Sequence, residues 1–315
     1  MAKQSFPEAR RVALPDVTLA VHETGEGPAV VLCHGFPELA YSWRHQLGAL
    51  AAAGFRAIAP DQRGYGESDA PQKIEDYDLA HLTDDMAALL DALGLEKAVF
   101  AGHDWGGFVA WAMALRHPDR CLGVIGVNTP YIPFPSTELL RAAFPDDERL
   151  YILWFQREGV ETELDRNVRP IFEKLMRRGS KPQSASLAEL PDANPFRNIA
   201  ALDPPGEPML DPEEIDVYVR AFERSGFFGP ISWYRNIDRN RELVPGVGEK
   251  PLDLPCLQIT AAWDMALPPA MAAGMPAVCS DLEMHNIEEC GHWTQQDKPE
   301  ELTSLMVEWL TRRFR

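Results

Sequence analysis

The apolar positions of the chain fall into two regimes. Up to residue 127, short continuous apolar runs alternate with amphipathic stretches. Residues 29–33 (AVVLC), 55–59, 98–101 and 121–127 show no polar alternation, as expected of strands buried on both faces. Residues 12–14 and 17–21, joined by Pro15-Asp16, read as a further strand pair. A segment at 43–53 reads as a helix stopped by Gly54. Leu79, Leu82, Met86, Leu89, Leu90 and Leu93 recur at helical spacing before Gly94, and residues 108–115 form an apolar, helix-favouring run. The alternation of strand and helix predicts a parallel sheet with helices on both faces.

From about residue 130 to 248 no buried strand run occurs. Helical pieces are predicted at 148–156, 161–179 and 212–225, and the segment reads as a mainly helical lid over the sheet's C-terminal edge. Strand patterns return at 256–262 and around 282–287. Residues 299–313 close the chain as an amphipathic helix with Leu302, Leu305, Met306, Trp309 and Leu310 on one face. The expected organisation is a mostly parallel, doubly wound α/β core in two parts, 1–129 and 249–315, interrupted by a lid at 130–248.

Charge and cysteine usage narrow the partners. The 315 residues carry a net charge of −18, which repels nucleic acid and anionic membranes, so neither is expected as a partner. The five cysteines are odd in number and include no CxxC pair. They read as small core residues of a reducing compartment. No apolar segment approaches the roughly 18 residues of a membrane span. A cytoplasmic monomer or homodimer is expected. No metal or organic cofactor is expected either, since no HExxH or comparable ligand spacing is present.

Ligands of a doubly wound sheet bind beyond the C-terminal strand ends. That places His34, Asp61, Asp104, Asp264 and His292 under scrutiny. In KAVFAGHDWGG, residues 97–107, a buried strand turns abruptly into a helix, and Gly102, Gly106 and Gly107 bracket Asp104. Such small neighbours are needed where strand and helix backbones meet at a nucleophile elbow, whereas a simple helix cap has no use for them. The usual occupant of the middle position is Ser; here it is Asp. In α/β hydrolases an acid and then a His follow the nucleophile along the chain. Asp264, in Ala262-Trp263-Asp264, and His292, in Cys290-Gly291-His292-Trp293, fill that order. His285 lies within a strand run, and Asp281, Glu288 and Glu289 flank it as solvated acids. The turn His34-Gly35-Phe36-Pro37 stands where one oxyanion-hole amide is supplied, so the backbone N–H groups of Phe36 and Trp105 are the expected pair.

HGFPELAYSWRHQ, GYGESDAP, GHDWGG, WYRN and GHWTQQDKP together resemble the catalytic domain of the soluble epoxide hydrolases, over nearly the whole chain. The resemblance implies the catalytic domain without the phosphatase-like N-terminal domain of the two-domain animal enzymes. The resemblance implies an α/β-hydrolase fold. It aligns Tyr151 in YILWFQ and Tyr234 in WYRN with the two epoxide-activating tyrosines of that family. The substrates it implies are a small epoxide and water, with no cofactor. Phe134, Trp154, Phe155 and Phe196 are candidates for an apolar pocket wall.

The chemistry of an Asp nucleophile agrees. A carboxylate attacks ordinary esters poorly but displaces a leaving group at sp³ carbon, giving an alkyl ester of the protein. Epoxides and alkyl halides are thus the expected substrates. A dehalogenase needs only weak N–H donors for its halide. Trp105 offers one; the second, often an Asn at the place of Phe36, is missing. A ligand receptor on the same scaffold, no longer catalytic, would be expected to have lost a member of the set.

Overall fold

The computed structural model describes residues 6–182 and 187–315. Eight strands, β1 (Arg10–Ala13), β2 (Thr18–Thr24), β3 (Ala29–Cys33), β4 (Arg56–Asp61), β5 (Ala98–His103), β6 (Cys121–Val127), β7 (Leu252–Ala261) and β8 (Cys279–Ile287), form one sheet in the order β1-β2-β4-β3-β5-β6-β7-β8. The β1–β2 and β2–β4 pairings are antiparallel, and every later pairing is parallel. The continuous apolar runs are explained by two cores. In β3, Val30 and Leu32 face one and Val31 and Cys33 the other, because side chains alternate along a strand.

The first core lies under helices α1 (Arg44–Ala52) and α12 (Pro299–Phe314), through Leu47, Leu50, Leu302, Met306 and Trp309. The second lies under α2 (Leu79–Ala92) and α3 (Trp105–Arg116), through Met86, Leu89, Leu90, Val109 and Met113. Asp78 caps α2 by accepting from the His81 amide at 3.0 Å.

Between β6 and β7 the described residues contain helices and no named strand: α4 (Thr137–Ala143), α5 (Tyr151–Trp154), α6 (Val160–Asp165), α7 (Val168–Leu175), α8 (Pro212–Ser225), α9 (Phe228–Arg235) and α10 (Ile237–Leu243). Two expected helices differ. The 148–156 segment shortens to α5 behind a turn of 3-10 helix at Asp147–Arg149. The 161–179 segment splits at Arg166-Asn167. There the Asn167 amide donates to the Glu163 carbonyl at 2.9 Å, a side-chain bond that competes with the helix backbone. Beyond α7, residues 176–182 run without helix. By contrast, α8 matches its expected bounds and starts with a capping box of Asp211 and Glu214.

The lid is pinned to the core by buried polar contacts. The Leu79 amide donates to Asn240 Oδ1 at 2.8 Å, and Asn236 Nδ2 to the Ile74 carbonyl at 2.6 Å. No described helix is long and apolar enough to cross a membrane.

At the β5–α3 junction the glycines are required by space. A Cβ on Gly102 would lie 2.0 Å from the Gly106 carbonyl oxygen, and one on Gly106 would lie 2.1 Å from the Cys33 carbonyl oxygen. Both obstacles are backbone, so neither can swing aside. We expect Gly106→Ala to lower unfolding stability by about 3 kcal/mol or more, at the upper end for overpacking. Urea denaturation checks this; an unchanged midpoint would mean that β3 and α3 can separate freely.

Candidate active site

Asp104 stands at the end of β5 with φ 52° and ψ −124°, and its side chain makes no capping bond to α3. It is therefore a strained elbow residue and not a helix cap. The Phe36 amide donates to Asp104 Oδ1 at 2.8 Å, and the Trp105 amide favours the ionised carboxylate. Gly35 permits this approach, since a Cβ there would sit 2.4 Å from the Asp104 Cβ. Of the two expected oxyanion-hole amides, that of Phe36 is thus hydrogen-bonded to the carboxylate. Burial raises the Asp104 pKa, against the lowering influence of the His292 and His103 charges and of the two amides.

The other carboxylate oxygen faces the histidine: His292 Nε2 lies 3.8 Å from Asp104 Oδ2. On its far side, His292 Nδ1 donates to Asp264 Oδ2 at 2.9 Å. Asp264 is buried and its acceptors are well used. Oδ1 accepts from the Ala266 and Leu267 amides at 2.8 and 3.0 Å, and Oδ2 also accepts from Asn128 Nδ2 at 2.6 Å. Burial opposes the Asp264 charge, but the His292 charge and these hydrogen bonds prevail and lower its pKa to about 2. Burial likewise disfavours an imidazolium, yet the charges of Asp264, Asp104 and Glu38 raise His292 to about 9.

Three supporting residues were not singled out by sequence reasoning. Asn128, at the end of β6 with φ 60°, donates to Asp264 and accepts from Thr294 Oγ1 at 2.7 Å. Behind the histidine, His103 Nε2 bonds the His292 carbonyl at 2.7 Å while its Nδ1 bonds Glu38 Oε2 at 2.9 Å. Both ring nitrogens of His103 face acceptors, so the ring is held from two sides. A carboxylate directly after HGFP, and a His directly before Asp104, were the only signals available in the sequence.

Two of the strand-end residues turn out to be scaffolding. His34 Nε2 accepts from the Gln62 amide at 3.0 Å. Asp61 accepts from the Ala40 and Glu67 amides at 3.0 and 3.2 Å, tying two loops together. His285 bonds Glu283 on β8, away from this site.

The lid brings Tyr151 and Tyr234 over the nucleophile. Their rings are 5.8 Å apart at 78°. The Tyr234 ring also meets the Trp105 indole edge-on at 5.0 Å and 82°. Burial, followed by the nearby Asp104 charge, raises both phenol pKa values, so both remain proton donors across the neutral range.

Asp104, Tyr151 and Tyr234 stand in the shared wall of two cavities. One, of about 400 Å³, extends past His292, Trp263, Phe196 and Arg177. The other, of about 200 Å³, is lined by Trp105, Phe108, Phe134, Ile237 and other apolar side chains. Of the four candidate wall residues, Phe196 lines the larger and Phe134 the smaller. Trp154 and Phe155 line neither. They are buried in lid packing, and Phe155 meets Phe36 edge-on at 5.4 Å. Among the described residues no group of three or more His, Cys, Asp or Glu side chains is arranged to hold a metal.

Comparison with known proteins agrees with this geometry. Residues 28–299 match the α/β hydrolase fold family. Epoxide hydrolase A of Mycobacterium tuberculosis is 41% identical over 97% of this chain and 98% of its own length. The chain belongs to the epoxide hydrolases of that fold. The bifunctional epoxide hydrolase 2 of Sus scrofa is 43% identical over 94% of this chain, but the chain spans only 54% of that relative's length. Among solved structures, epoxide hydrolase A of Mycobacterium thermoresistibile superposes with a TM-score of 0.85 at 40% identity, covering 96% of this chain and 98% of the other. The chain thus matches the two mycobacterial members over at least 96% of each chain, and spans about half the length of the mammalian relative.

The electrostatics of the pair are open to test. In Asp264→Asn the main raising charge on His292 is gone while burial remains, so its pKa should fall from about 9 by roughly a unit or more. Titration of the imidazole by ¹⁵N NMR reads this directly; an unmoved value would show that Asp104 and Glu38 alone hold the proton.

Proposed function

We propose that this chain hydrolyses epoxides to vicinal diols through an alkyl ester on Asp104. The observation that carries the reading is the pair of neighbouring phenols, Tyr151 and Tyr234, in one cavity wall with Asp104. Asp104 Oδ2 attacks an epoxide carbon and the ring C–O bond breaks. The electron pair goes to the epoxide oxygen, which takes a proton from one of the two phenols. An alkoxide is a strongly basic leaving group, so a positioned proton donor matters here as it would not for a halide.

The second step hydrolyses the ester. His292, oriented by Asp264, removes a proton from water, whose oxygen bonds to Cγ of Asp104. The negative charge that develops on Oδ1 meets the Phe36 and Trp105 amides. Collapse expels Oδ2 with the product, His292 protonates it, and the proton left on the new carboxyl restores the phenol. Esterification has meanwhile removed the Asp104 charge, one of the groups that raise His292. The base is therefore weaker and more readily neutral in the intermediate than in the resting protein.

Two features weigh against halide release. Phe36 has no side-chain donor, and Tyr151 and Tyr234 present proton donors for which a halide has no need. The two cavities meeting at Asp104 favour epoxides substituted on both carbons, with one substituent in each arm.

Asp104→Ala should abolish diol formation from trans-stilbene oxide. His292→Gln should instead give one equivalent of alkylated protein, visible as a mass increase. Normal turnover by either variant would refute the scheme. Replacing both tyrosines by Phe should slow ester formation by about 100- to 10,000-fold, the range for general acid help; an unchanged rate would return them to lid packing.

The pH dependence follows from the sign of the His292 shift. A base must be neutral, so ester breakdown should rise with pH through the His292 pKa of the intermediate, below the value near 9 of the resting protein. Below that pKa the ester should accumulate. Rapid-quench mass spectrometry across pH 5–10 measures it, and a breakdown rate that falls with rising pH would exclude His292 as the base.

A further inference from the structure

One side chain joins the lid to the loop that carries His292. Asp297, the last residue of the turn α11 (Thr294–Asp297), is buried, with 3% of its side chain exposed. Its Oδ2 accepts from the Gly291 amide at 2.9 Å and from the Gly179 amide at 3.3 Å. Its Oδ1 accepts from Arg178 Nη1 at 3.2 Å. Gly291 directly precedes His292, whereas Arg178 and Gly179 belong to the lid strap that follows α7.

The two backbones touch at this point. A Cβ on Gly179 would lie 2.4 Å from the Gly291 Cα, and a Cβ on Gly291 would lie 2.7 Å from the Gly179 Cα. Only two glycines allow the strap to come so near the histidine loop. The remainder of the turn is docked on the lid as well. Trp293 Nε1 donates to the Leu175 carbonyl at 2.7 Å and Gln296 Nε2 to the Tyr218 hydroxyl at 3.1 Å. His292 therefore takes part of its position from the lid.

We propose that Asp297 is a positioning residue for the hydrolytic half-reaction, clamping the strap at Arg178-Gly179 and the amide before His292 on one carboxylate. Alkylation by Asp104 needs the elbow and the tyrosines, and none of them touches Asp297. Water attack needs His292 in place to a fraction of an ångström. The base is thus fully set only while the strap is docked. This role rests on the reading of His292 as the base that hydrolyses the Asp104 ester.

The test separates the two half-reactions. Wild-type protein, Asp297→Ala, Asp297→Asn and Gly179→Ala are mixed with trans-stilbene oxide in single turnover, and the ester on Asp104 is followed by rapid-quench mass spectrometry. In Asp297→Ala the ester should form within about twofold of the wild-type rate and break down at least about tenfold more slowly, since small misplacements cost up to about 100-fold. Asp297→Asn keeps an acceptor for the two glycine amides and should recover most of the breakdown rate. Gly179→Ala displaces the strap with the carboxylate intact and should also slow breakdown selectively. It decides the matter if Asp297→Ala does not fold. Equal slowing of both steps, or of neither, in the variants that fold would overturn the proposal, as would a Gly179→Ala that changes KM alone. Failure of wild-type protein to form an Asp104 ester would instead refute the epoxide reading itself.

Discussion

The site depends on the backbone of one residue. Asp104 is held at a positive φ that side-chain-bearing residues rarely adopt, a strain of about 1–3 kcal/mol that surrounding structure must offset. The offset comes from a strand and a helix packed so closely that Gly102 and Gly106 admit no Cβ. It is also fixed by the Phe36 amide on the carboxylate and by Thr129 Oγ1, which donates to the Asp104 carbonyl at 2.8 Å. In consequence the carboxylate projects from the sheet edge with one oxygen tied and the other free. The triad, the tyrosines and the cavities are arranged around that free oxygen.

The core was legible because parallel strands buried on both faces read as unbroken apolar runs. Residues 29–33 and 121–127 match β3 and β6 to the residue. The elbow was legible because its glycines have a steric purpose, and the structure shows the backbone atoms each one avoids. Asp264 and His292 followed from their places after strand ends, and the structure brings them within hydrogen-bond distance of each other. The tyrosines came only through resemblance, since a lid Tyr has no local signature of its own.

What was not legible depends on contacts far apart in the chain. Asn128 and Thr294 are ordinary polar residues until folding brings them together across 166 positions. Glu38 and His103 are 65 positions apart and buried. In the lid, aromatic residues serve packing and cavity walls alike, so Trp154 and Phe155 could not be told from Phe134 and Phe196 by sequence. The split between α6 and α7 likewise turned on a single Asn side chain.

The unequal treatment of the two Asp104 oxygens has a consequence for the identity of atoms. Oδ1 is held by the Phe36 amide, while Oδ2 faces His292. Under the chemistry proposed, Oδ2 leaves with each diol and solvent supplies its replacement. The protein is then not an unaltered surface on which reaction occurs. It lends one of its own atoms to every product and takes one back from water, so its carboxylate is rebuilt at each turnover.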